Sequence, residues 1–285
     1  MASDIVITSD STTDLSPELR ERYNISVAPL GITLGDKVYT DGVDITPDDI
    51  YAHHAKTGEL PKTTATNVGD CLDFFKKFTD EGKTVIHLTI SSDMSSTYNN
   101  ACIAASELEN VYVIDTKNLS TGGGLLVVAA AEMLRDGLSA EEIVRKSTEL
   151  IPCVDASFVI DSLEYLYKGG RCSALAMFGA NLLKLKPCIQ VKNGKMDVSK
   201  KYRGKFEDVL KQYITEKAED YSDIVLDRVF ITHAGCDPEV AKNAAELAKK
   251  LAPFKEVFIT RAGCTVSSHC GANTLGILFI RKSPI

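Results

Sequence analysis

The chain has 285 residues, 44% of them apolar and 25% charged, the make-up of an ordinary globular protein long enough for two domains. Its net charge of −7 argues against a general nucleic-acid binder, which needs a basic footprint, but leaves room for local donors that grip a single anion. The eight cysteines form no Cys-x-x-Cys pair and lie mostly in apolar surroundings, so they read as reduced core residues of a cytoplasmic protein rather than a disulfide framework. The start carries no charged segment followed by an apolar one, so no signal peptide is expected, and no apolar run reaches the length of a membrane span.

Along the chain, residues 5–8 read as a strand and 15–23 as a helix. Asn67 is placed to cap a helix over 68–79, with Asp70 at its third helical position. Residues 85–90 read as a second strand, followed by a helix over about 95–108. A third strand at 111–114 leads into a long alanine-rich helix ending at Arg135. This alternation predicts a parallel sheet covered by helices. A boundary falls near Ile151-Pro152-Cys153, between a helix over 141–150 and a strand over 156–160, dividing the chain into residues 1–152 and 153–285. The second part has a different grammar. Two strands around 188–198 are joined by Asn193-Gly194, the strongest short hairpin signal. A charged helix over 206–221, a strand at 229–232, a helix over 238–251, a strand at 257–260 and apolar residues 275–279 follow. The expected fold class is α/β in two domains, an N-terminal parallel sheet flanked by helices and a C-terminal mixed α/β domain.

In open parallel sheets, ligands sit outside the carboxyl ends of the strands. The segments just after the three N-terminal strands, residues 9–14, 91–97 and 115–124, are rich in hydroxyls. Any one of them reads most simply as helix caps. Together with Lys62-Thr63-Thr64-Ala65-Thr66-Asn67 they point to an anion site at one sheet edge, where helix N-termini would help. Phosphate is a poor fit. Gly82-Lys83-Thr84 mimics the end of a P-loop, but position 77 is Lys where glycine is required, and a strand follows where a helix should open. A sugar- or nucleotide-phosphate enzyme is therefore disfavoured. Gly122-Gly123-Gly124 lacks dinucleotide-loop spacing and reads as a site of close backbone packing. His53 and His54 read as surface residues of a polar helix, His87 as packed within a strand, and His233 as a strand end near Cys236. His269 lies in a glycine-bearing loop after a strand, and no histidine or cysteine set has zinc spacing.

Several of these segments together are similar to the DegV family. Asp10-Ser11-Thr12-Thr13-Asp14-Leu15 matches its Asp-Ser-x-x-Asp-Leu, and Ile90-Ser-Ser-Asp-Met-Ser95-Ser-Thr-Tyr98 resembles its Ile-Ser-Ser-x-Leu-Ser-Gly-Thr-Tyr. Lys62-Thr63-Thr64-Ala65-Thr66 stands where the family has Thr-Ser-Gln-Pro. Leu163-Glu-Tyr-Leu-Tyr-Lys-Gly-Gly-Arg171 is similar to its Leu-x-x-Leu-x-x-Gly-Gly-Arg. The chain departs at Ala65 and Thr66, at Ser96 in place of glycine, and at His269-Cys-Gly-Ala-Asn273 where the family has His-x-Gly-Pro-Gly.

The resemblance implies two α/β domains with a fatty acid between them. It implies that Thr63 and Ser95 hold the carboxylate, with Thr64 adjacent and His269 and Arg171 helping. It also implies a bacterial, cytoplasmic carrier of a long-chain, palmitate-like acid, which serves lipid transport or fatty acid metabolism. Such a carrier presents the acid to a partner fatty acid kinase, without turnover of its own. On this reading the fatty acid is the ligand; no cofactor, metal, nucleic acid or stable membrane insertion is expected. The apolar segment after Arg171 is a candidate tail lining, through Leu175, Met177, Phe178 and Leu182. The basic run at 200–205 could dock an acidic partner but reads slightly better as a solvated strand end. The alternative is a hydrolase or acyltransferase acting on an acyl substrate, with Ser95 as nucleophile, His269 as base and Asp10 as orienter; the chain has no Gly-x-Ser-x-Gly elbow.

Overall fold

The computed structural model describes residues 4–172 and 185–285. In chain order, the first part contains β1 (Ile5–Asp10), α1 (Pro17–Tyr23), β2 (Ser26–Ala28), β3 (Gly31–Leu34), β4 (Lys37–Thr40), α2 (Pro47–Thr57) and β5 (Lys62–Thr64). It continues with α3 (Val68–Thr79), β6 (Thr84–Thr89), α4 (Thr97–Ala105), β7 (Val111–Asp115), α5 (Thr121–Arg135) and α6 (Ala140–Leu150). The second part contains β8 (Val154–Ile160), α7 (Glu164–Gly169), β9 (Lys186–Lys192), β10 (Lys195–Tyr202), α8 (Phe206–Ala218), β11 (Arg228–Ala234), α9 (Pro238–Leu251), β12 (Glu256–Arg261), α10 (Cys264–Cys270) and β13 (Thr274–Ile280).

The expected α/β class is observed. Strands β2-β1-β6-β7 form a parallel sheet, so their carboxyl ends share one edge. A mixed six-stranded sheet, β10-β9-β8-β13-β11-β12, occupies the second part. Strand β6 is buried at all six positions, as a central parallel strand covered on both faces should be. Asn67 caps α3 by accepting from the Asp70 N–H. Asn193 and Gly194, both at positive φ, make the tight turn between β9 and β10.

A third sheet, the antiparallel β4-β3-β5, was not expected. Its strands are three or four residues long, too short for an alternating pattern to register. Thr63 and Thr64 therefore lie on a strand, not in a loop. His269 likewise sits on α10 rather than in a loop. His53 and His54 are partly buried instead of surface residues; His54 packs edge-on against Tyr165 with centroids 4.8 Å apart.

Helix α5 joins the two large sheets. Residues Thr121–Ala131 are all buried, and one apolar cluster runs from Ile7, Ile86 and Leu88 through Leu125–Val128 to Ala156, Ile160 and Leu278. A helix apolar all round belongs in a core. Its glycines permit the approach: a Cβ on Gly124 would lie 2.9 Å from the Thr13 carbonyl oxygen, and one on Gly122 would overlap Asn118.

Candidate functional site

A cavity of about 430 Å³ opens at the carboxyl edge of the parallel sheet and reaches across to the second part. That is within the roughly 300–1,000 Å³ of small-molecule sites. All five residues expected at an anion grip, Thr63, Thr64, Ser95, Arg171 and His269, line it. They come from β5, the turn before α4, the segment after α7, and α10. Of the three hydroxyl-rich segments, the second contributes Met94, Ser95 and Ser96 and the third contributes Leu119. The first does not reach the cavity; Leu30 lies in the wall instead.

The hydroxyls are prepared by their neighbours. Thr63 Oγ1 lies 2.9 Å from His269 Nε2. Ser95 Oγ accepts from the Thr97 N–H at 3.2 Å and lies 2.9 Å from Thr97 Oγ1. A hydroxyl has one donor and two acceptor positions. If Nε2–H and the Thr97 groups do the donating, Thr63 and Ser95 each keep a proton for an acceptor in the cavity. Ser96 is the N-cap of α4, but its side chain caps nothing. Arg171 donates through Nη1 to the Gly169 carbonyl at 2.7 Å, and its charge remains at the open side.

His269 is neutral near pH 7. Burial, aided by the Arg171 charge, pulls it from its ordinary 6.5 down to about 4. Its Nδ1 is buried without a hydrogen-bond partner. The ring packs on Gly169, where an added Cβ would stand 2.5 Å from Nδ1. Apolar walls face this polar end: Ile90, Met94, Leu119, Phe158, Leu166, Met196 and Val266. Sequence reading missed these because they come from six separate segments. The tail-lining candidates Leu175, Met177, Phe178 and Leu182 lie outside the described residues.

In this structure Ser95, His269 and Asp10 each bond other partners and do not form a triad. His269 is committed to Thr63 and Ser95 to Thr97. Asp10 is fully buried, accepts from Thr12 and the Ile90 N–H, and holds the turn after β1 against β6. Burial raises its carboxyl to about 6. Among the described residues no cluster of His, Cys, Asp and Glu could hold a metal ion, and no helix is long and apolar enough to cross a membrane.

A family model described as "Uncharacterised protein, DegV family" matches residues 4–282. A DegV domain-containing protein of Caldanaerobacter subterraneus subsp. tengcongensis is 32% identical over 98% of this chain and 99% of its own length. One from Clostridium acetobutylicum is 34% identical, again over 98% and 99%. Among solved structures, a DegV family protein from Thermus thermophilus, reported as fatty-acid binding, superposes with a TM-score of 0.88 at 28% identity, covering 98% of this chain and 99% of that one. A stearic acid-binding protein from Eubacterium ventriosum gives 0.85 at 29%, covering 99% of both chains. DegV from Bacillus subtilis, described as a fatty acid binding protein, gives 0.85 at 28%, covering 99% and 100%.

Proposed function

The chain belongs to the DegV family, and we propose that it binds one long-chain, palmitate-like fatty acid, carboxylate toward Thr63 and Ser95 and tail along the apolar wall. One observation carries the reading: two hydroxyls, Thr63 beside His269 Nε2 and Ser95 beside the Thr97 N–H, line one cavity that is apolar beyond them. A carboxylate leaving water must be hydrogen-bonded or it takes up a proton. Thr63 and Ser95 each donate one bond, Thr64 and Ser96 stand beside them, and Arg171 supplies the compensating charge. In the Nε2–H tautomer, neutral His269 donates to Thr63 and leaves the threonine proton for the ligand.

The tail supplies most of the affinity. Each buried methylene contributes about 0.8 kcal/mol, so about twelve contribute roughly 10 kcal/mol before association costs. Charge-assisted hydrogen bonds add roughly 1.5–3 kcal/mol each and fix orientation. The grip residues Arg171, Thr64 and Ser96 are exposed, which supports a carboxylate left within reach of a partner kinase that phosphorylates it. On this reading the chain acts as a carrier of the acid. Eight free cysteines, seven of them buried, suit the reducing cytoplasm.

The test is Thr63→Ala with Ser95→Ala. Palmitate affinity should fall roughly a hundredfold with the fold intact by circular dichroism. Unchanged affinity in the folded double variant would remove the carboxylate assignment.

A further inference from the structure

Helix α10 brings His269, Val266 and Thr265 to the cavity, yet its own segment does not cap it: Gly263 at the N-cap has no side chain to offer. The first N–H groups of a helix need acceptors, more so when buried. They find them in two buried carboxylates more than 220 residues earlier in the chain. Asp14 accepts from the Gly263 N–H at 2.7 Å. Asp41 accepts from the Cys264 N–H at 2.8 Å, the Thr265 N–H at 3.1 Å and the Thr265 hydroxyl at 2.6 Å. Both press on Gly263, where an added Cβ would lie 3.3 Å from Asp14 Oδ1 and 3.4 Å from Asp41 Oδ1.

The same carboxylates reach other parts of the cavity wall. Asp41 also accepts from Ser11 at 2.9 Å, and the Ser11 oxygen accepts from the N–H of Leu30 at 3.1 Å. Asp14 accepts from Ser120 at 2.5 Å, next to Leu119. Neither Asp14 nor Asp41 lines the cavity. Yet Leu30, Leu119, Thr265 and His269, drawn from both halves of the chain, hang on this pair.

We infer that Asp41 and Asp14 are positioning residues of the fatty-acid site: they cap α10 from the other half of the chain and so hold His269 Nε2 on Thr63. The inference rests on the proposed reading of the site and names what sets its geometry. It also gives a role to Asp14, whose segment misses the cavity.

The experiment compares Asp41→Asn with wild type and with Asp155→Asn. Asp155 is an equally buried carboxylate, paired with Lys217 and Arg281 away from the cavity. Two quantities are read: palmitate affinity, and the ring nitrogen shifts of His269 by NMR in ligand-free, histidine-labelled protein. Asn keeps the shape of Asp41 but has one accepting oxygen where Asp41 takes four donors on two. Asp41→Asn should weaken palmitate binding roughly tenfold and move the His269 Nε2 signal. Asp155→Asn should lower the melting temperature with neither change. If Asp41→Asn does not fold, Thr265→Val removes the hydroxyl arm alone and should produce the same two changes in smaller measure. An unmoved His269 signal and unchanged affinity in the folded variant would overturn the inference. Wild-type protein that binds no palmitate would instead overturn the reading of the site, and the His269 signal would still decide the positioning role.

Discussion

His269 shows how single residues make this site. Its ring is held neutral by burial and tied to Thr63, and a carboxylate arriving beside it must stabilise the protonated form. Palmitate should therefore raise the His269 pKa from about 4, read by NMR titration; a pKa that stays put would mean the acid group binds elsewhere. Gly169→Ala places a methyl 2.5 Å from Nδ1 and should push the ring off Thr63. Palmitate affinity should drop roughly tenfold, and unaltered binding would show that the ring can yield freely. Burial also sets the pH response. His269 and His87 fall from 6.5 to about 4 and about 3, so the unfolded chain binds more protons below pH 6.5 and stability declines with acid. Asp14, raised from 3.8 to about 8, and Asp10, raised to about 6, work the other way: the fold retains their protons, so they offset the histidines below pH 6, and Asp14 lowers stability as pH rises toward 8. Between 6.5 and 8 only the Asp14 effect remains among these four. The melting temperature of ligand-free protein should therefore peak near pH 6.5, and a monotonic rise to pH 8 would contradict the assignment.

Elements explain what was legible. Helix α3 announces itself through its Asn67 cap, and both α3 and α9 are observed at the expected bounds. The parallel strands were legible for their β-branched runs. Helix α10 was not: it is seven residues of Cys, Thr, Val, Ser and His between two glycines, and its caps come from Asp14 and Asp41. Local propensity disfavours such a helix, and only tertiary contact makes it. The site residues came from the resemblance to the DegV family; the hydroxyl-rich segments alone pointed only to an anion site at the sheet edge. Periodicity alone cannot bring Thr63 and His269 together across 206 positions. The glycine run of α5 was read correctly as close packing. Gly124→Ala, with Thr13 at 2.9 Å, should cost roughly 1–3 kcal/mol in chemical denaturation. A neutral effect would show that the helix can move aside.

At the scale of the molecule, two sheets share one helix, and the cavity lies where both parts contribute walls. A ligand bound there ties the parts together and stabilises only the folded chain. The central claim is that this ligand is a long-chain fatty acid. Organic extraction of well-folded protein, followed by mass spectrometry, tests it most directly. The account predicts about one long-chain fatty acid per chain, or saturable uptake of added palmitate by protein stripped of lipid. Repeated preparations that carry no lipid and take up none would contradict it.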